Sequence, residues 1–128
     1  MEFIIALLMA LAVQEPRIAV AATAPKPDAT VFSPFGRAPW LMIYDPADRK
    51  WQPVDNSSAA SNGDPGGPAI EATNTLIEHS VKIVIGGDVP GPALQALSGA
   101  GIRVFMGASG TVVKALADYQ AGKLTEIK

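Results

Sequence analysis

The sequence predicts an α/β domain with three layers, in which an antiparallel meander is followed by βαβαβα around a mixed five-stranded sheet. Three observations lead there. Short apolar runs rich in branched residues recur at RIAVAAT, WLMIYD, VKIVIGG and IRVFMG, each of a length that suits a buried strand. The first strands follow one another with only turn residues between them, whereas the later ones alternate with helix-length amphipathic stretches. A chain of 128 residues, 48% hydrophobic and 17% charged, is the size of one domain and apolar enough to bury a core.

In chain order, the first strand starts at Arg17. The Pro-rich APKPDATVFSPFGRA, residues 24–38, reads as a connection, and the second strand runs from Trp40 to Asp45. DPADRK turns the chain into a third, antiparallel strand, Trp51 to Val54. Fourteen residues of mainly Ser, Asn, Gly, Asp and Pro follow, 55–68, long enough for a connection to read as mobile or functional. From Ala69 the pattern turns helical, with Ile70, Thr73 and Ile77 on one face and Ala69, Ala72 and Leu76 beside them. The next helix is opened by Pro90 and Pro92 and closed by Gly99 and Gly101. The last begins at a Ser109 or Thr111 cap, turns Val112, Val113, Leu116 and Tyr119 to the sheet, and stops at Gly122.

The N-terminus reads separately. Residues 1–16 form an apolar arm, and 17–128 the folded domain. Phe3 to Val13 is an unbroken apolar run of 11 residues, short of the ~20 needed to span a bilayer. Its length and the small-x-small Ala10–Ala12 suit a secretory signal, while Glu2, in place of Lys or Arg, does not. The location expected is therefore cytoplasmic, with export as the alternative if residues 1–12 act as a signal.

Composition narrows the function. Ten basic against twelve acidic residues, scattered along the chain, make no basic face for nucleic acid. With no cysteine, thiolate ligands, disulfides and a Cys nucleophile are excluded, and the single His79 cannot build a triad or a metal site alone. If the first strand lies parallel to the fourth with the fifth beyond it, SPFGR, the 55–68 loop, GGDVPGP and MGASGT all emerge on one edge. That edge, outside the carboxyl ends of parallel strands, is the default ligand site. GASGT offers backbone N–H groups and two hydroxyls at a helix start, and Arg37 offers a planar fork to an anion. The alternatives are ordinary capping for the first and, for the second, a structural Arg paired to Asp64, Asp88 or a loop carbonyl. A hydrolase would need Asp28, Asp64 and Asp88 to converge on a divalent ion.

FGRAP and AGIRVFMGASGTVVKAL, with the elements around them, resemble the dinitrogenase iron-molybdenum cofactor biosynthesis family, the nitrogenase accessory factor-like proteins of nitrogen fixation. The resemblance runs from about Arg17 to Leu124. It implies a ribonuclease-H-like fold without the nuclease carboxylates, a site at the loop edge, and a carrier rather than an enzyme. It also implies an iron-sulfur or iron-molybdenum cluster or other small anionic ligand as cargo, and other cofactor-assembly proteins as partners. A His common before Phe-Gly-Arg in the family is Pro34 here, and one common in the Gly-rich loop is Asp64. The expected ligand-binding set is Arg37, Phe35, Gly36, Asp64, Gly87, Gly107, Ser109, Gly110 and Thr111, with no metal ligand and no catalytic residue. The alternative is an orphan small-anion sensor or assembly protein that has lost cluster binding.

Overall fold

The computed structural model of the chain describes residues 15–127, so the expected arm lies outside the described residues up to Gln14. Strands β1 (Arg17–Ala22), β2 (Trp40–Asp45), β3 (Lys50–Asp55), β4 (Val81–Ile85), β5 (Arg103–Met106) and β6 (Thr125–Ile127) form one sheet in the order β3-β2-β1-β4-β5-β6. β1 is antiparallel to β2 and parallel to β4, and β5 continues the parallel run. The meander and the βαβ units thus meet at β1.

Alternation along β1 feeds two cores. Ala19 and Ala21 join the layer covered by helices α1 (Ser57–Ala60), α2 (Gly67–Glu78) and α3 (Gly91–Gly99). Ile18, Val20 and Ala22 join the opposite layer, where α4 (Val112–Gln120) packs over β1 and β4. This is the expected three-layer mixed α/β fold, with two differences. A sixth strand, β6, pairs antiparallel with β5, and Arg103 grips Glu126 through two bonds of 2.9 Å. Three residues after a glycine stop carry no period to read, so the sequence showed only a tail there. The second difference is α1, inside the segment expected to bury little: Ala59 is 1% exposed and Asn56 is buried beside it.

Two helix faces also differ from expectation. The buried side of α2 is Ala69, Ala72, Thr73 and Leu76, while Ile70 and Ile77 point outward at 58% and 51% exposure. On α4, Val112, Ala115 and Leu116 are buried and Val113 is exposed. Small residues let α2 approach the sheet closely, so its alanines, not its isoleucines, mark the inner face. Thr111 caps α4 as expected, accepting the Lys114 N–H at 3.1 Å, and Gly122 ends it at φ 73°.

The outer edge at β3 is protected by its own sequence. The Asn56 N–H bonds the Pro39 carbonyl at 2.9 Å, which sets the ladder so that residues 51, 53 and 55 turn their backbone groups away from β2. Pro53 stands among them and has no N–H to offer an incoming strand. None of the described helices is long and apolar enough to cross a membrane.

The two faces of α2 separate in a stability test. Leu76→Ala is expected to cost ~2–5 kcal/mol in denaturant unfolding, and Ile77→Ala, one residue on, less than ~1 kcal/mol. Equal losses would contradict the packing described.

Candidate functional site at the loop edge

The carboxyl ends of β1, β4 and β5, the end of β3 and the start of β2 bring four loops to one edge of the sheet. At its centre lies the segment Ser33–Pro39, whose Phe35–Arg37 forms a single 3-10 turn. Phe35 is fully buried and anchors the turn from below. Its N–H donates to the Asp88 carbonyl at 3.3 Å, tying the turn to the loop after β4. Asn56 ties it from the other side: Nδ2 donates to the Ala38 carbonyl at 2.8 Å and the backbone N–H to Pro39.

Gly36 is buried for a different reason. A Cβ at this position would lie 3.1 Å from the Ala69 nitrogen and 3.3 Å from the Ala69 Cα. The turn therefore rests directly on the first turn of α2, and a side chain here would have to push the two backbones apart by a few tenths of an ångström. With Phe35 held down and Gly36 held flat, Arg37 is left exposed. Its Nη1 reaches the Ala60 carbonyl at 3.5 Å, at the outer limit of a hydrogen bond, and it makes no ion pair among the described residues. Arg37 thus follows directly on the glycine that rests against the first turn of α2, a 12-residue helix with no acidic residue in that turn, while its guanidinium reaches toward the end of α1.

The glycine loops close the centre. A Cβ on Gly87 would sit 3.2 Å from the Ala108 carbonyl and 3.7 Å from Ser33 Cβ, so the GGD and MGASG loops and Ser33 approach one another through this glycine. Gly107 and Ala108 donate their N–H groups to the carbonyls of Gly87 and Gly86 at 3.4 and 3.1 Å.

The helix start expected to cradle an anion is largely committed elsewhere. Val112 N–H donates to Ala29 at 2.8 Å and Val113 N–H to Pro27 at 3.0 Å, so the 24–31 loop supplies the carbonyls that α4 needs. Gly110, at φ 77°, turns the chain into this arrangement, and its carbonyl accepts the Val31 N–H at 2.9 Å. What this segment presents outward is the exposed Gly107, Ser109 and Gly110.

The acidic candidates do not gather. Asp28, Asp64 and Asp88 are each exposed, and the described residues hold no group of three or more His, Asp or Glu able to take a metal ion. Asp64 belongs to the turn before α2: its N–H donates to Asn62 Oδ1 at 2.9 Å and its carbonyl accepts from Gly67. Asp55, at the end of β3, has its carboxyl held below the ordinary carboxylate range by the hydroxyl and N–H of Ser57. His79 lies at the opposite edge, capping α2, where its carbonyl accepts from Arg17 Nη1 at 3.1 Å.

Comparison with known proteins agrees with the fold. Over residues 16–122 the sequence matches the family described as dinitrogenase iron-molybdenum cofactor. The chain belongs to that family. The apo form of the orange protein from Desulfovibrio gigas is 30% identical, with a TM-score of 0.82 over 90% of this chain and 96% of that one. A Thermotoga structure described as a NifB protein is 26% identical, with a TM-score of 0.74 over 88% and 93% of the two chains. A dinitrogenase-type structure from Methanocaldococcus jannaschii, 14% identical with a TM-score of 0.64, shares the fold over 91% of this chain and 98% of that one. No curated protein matches the sequence.

In this member of the dinitrogenase iron-molybdenum cofactor family the donor set at the edge is narrow. It has no cysteine, and its one histidine is on the far side. Iron in clusters takes thiolate or imidazole, so the described edge does not fit direct iron ligation. N–H groups and a guanidinium suit the oxygen or sulfur surface of an anion instead.

Sequence reading missed Asn56. Its signal is the hairpin register, since Trp40 pairs with Asp55 and Asn56 then falls opposite Pro39. Gly36→Ala is expected to destabilise the domain by ~1–3 kcal/mol, because the added methyl pushes the turn off α2. Asn56→Ala is expected to cost a similar ~1–3 kcal/mol by leaving the buried Ala38 carbonyl unpaired. Denaturant unfolding checks both, and wild-type stability in either variant would contradict the anchoring described.

Proposed function

We propose that this chain is a non-catalytic carrier that holds an anionic metal cluster, or a small molybdenum-type oxyanion, at the loop edge through charge and hydrogen bonds. Metal coordination by side chains has no part in this reading. Its support is twofold: membership of a family named for the iron-molybdenum cofactor, and the exposed Arg37 at the loop edge, free of any ion pair among the described residues. The second observation carries it. A buried Phe, a glycine pressed on a helix and a buried Asn together hold in place an arginine that contributes little to the core. Ser109 and Gly110 extend the same edge, and Asp64 marks its rim. We further propose that other cofactor-assembly proteins load and unload it, and that it works in the cytoplasm.

Pro34 and Asp64, standing where the family often has His, favour a second reading, a small-anion sensor or assembly protein that has lost cluster binding. The same experiment separates the two. Wild type, Arg37→Ala and Arg37→Lys are melted alone and with molybdate, phosphate or a reconstituted iron-sulfur cluster. The carrier reading expects stabilisation by the cluster, lost in Arg37→Ala by ~1.5–3 kcal/mol of binding free energy and partly kept in Arg37→Lys. The ligand-free melting temperature is expected to stay near wild type, because the side chain is exposed. Stabilisation by phosphate, with none by the cluster or by molybdate, selects the sensor. Full stabilisation of Arg37→Ala overturns the role of Arg37.

A further inference from the structure

The protein holds three asparagines, and the fold treats them differently. Asn56 is 3% exposed, its Nδ2 is bonded to the Ala38 carbonyl, and the N–H of the following Ser57 is committed to Asp55 Oδ1 at 2.7 Å. Asn74 lies inside α2, and its neighbour, the branched Thr75, has its backbone fixed in the helix. Asn62 is half-buried in the turn before α2 and is followed by a glycine. Its Oδ1 accepts the Asp64 N–H at 2.9 Å, a bond that spans the Gly63 peptide and folds the Asn62 amide back over it. Gly63 is exposed, and a Cβ there would meet nothing within 4 Å. The side-chain carbonyl carbon of Asn62 is thus held over the nitrogen of a residue with no side chain to shield it.

We propose that Asn62 is a site of self-modification, at which the folded chain deamidates to isoaspartate and aspartate. The Gly63 nitrogen bonds to Asn62 Cγ while the Cγ–Nδ2 bond breaks, and the Gly63 N–H proton leaves with Nδ2 as ammonia. Water then opens the cyclic imide. Cleavage at the side-chain carbonyl gives aspartate, and cleavage at the main-chain carbonyl gives isoaspartate, so the net change is NH replaced by O. The product undoes a clasp. Nδ2 now donates to Glu71 Oε1 at 3.3 Å, and the Asn62 amide lies against Gly67, where a Cβ would stand 2.5 Å from Oδ1. A carboxylate in its place faces Glu71 with like charge, and isoaspartate adds a methylene to the main chain, which breaks the bond to Asp64. The new charge falls two residues from Asp64, on the rim of the site proposed above. The modified form therefore holds an anion less well, a step that rests on that proposal.

The test incubates the folded full chain in mildly alkaline buffer and maps its peptides by mass, with isoaspartate identified by isoaspartyl methyltransferase labelling. The expected result is the NH-to-O mass change and the label at Asn62, with Asn56 and Asn74 intact. Gly63→Ala, for which the turn has room, is expected to slow the change several-fold without loss of the thermal transition. In the incubated protein the Asp64 amide exchanges its proton faster than in the fresh chain. Modification that begins at Asn56 or Asn74, that occurs only after denaturation, or that runs as fast in Gly63→Ala overturns the proposal. For the last step, fresh and incubated chains are melted with molybdate and with a reconstituted iron-sulfur cluster. Weaker stabilisation of the incubated chain is expected, and equal stabilisation overturns that step. A fresh chain stabilised by neither overturns the proposed function and that step with it, and the peptide map still decides the modification.

Discussion

Hydrogen bonding of β1 on both sides is the constraint on which the rest depends. β1 carries RIAVAA, of which the last five residues are buried, and it pairs antiparallel with β2 on one side and parallel with β4 on the other. A strand in that position must be apolar on both faces, which is why no alternation is visible in its sequence. It also sets polarity for the whole sheet. Because β1 and β4 run the same way and β2 runs back, the Pro-rich connection, the α1 region and both glycine loops emerge together.

What that edge becomes is decided by how closely backbones approach there. Gly36 against Ala69 and Gly87 against Ala108 bring four separate segments together in two close backbone contacts without side chains between them. Arg37 is then the long charged side chain left at the surface where Phe35 goes inward. The positive end of α4, by contrast, is spent on the carbonyls of Ala29 and Pro27. The proposed site therefore draws less on the GASGT helix start than on the Phe35–Arg37 turn.

The fold was legible in the sequence where a local pattern decides it. Strand runs, proline and glycine stops and the Thr111 cap all act within a few residues, and the elements between Arg17 and Gly122 emerge from them. The loop edge was legible because chain direction follows from connection length. Long-range packing was not. Ile70 and Ile77 look like a core face in the sequence, but the small residues Ala69, Ala72 and Thr73 win the inside because α2 lies close to the sheet and to the FGR turn. The filling of the α4 helix start depends on a loop 80 residues away in the chain, and no spacing within GASGT announces it. β6 exists only because β5 offers an edge to it.

The central claim is that cargo is held at the loop edge by Arg37 and neighbouring N–H donors rather than by side-chain metal ligands. Backbone amide mapping by nuclear magnetic resonance tests it most directly, with the chain titrated against molybdate and against a reconstituted iron-sulfur cluster. The account predicts saturable shifts at Gly36–Ala38, the first turn of α2, Gly87 and Ser109–Gly110, with residues around His79 and Arg17 unmoved. Saturable shifts centred on His79, or spread evenly over the surface without saturation, would contradict it.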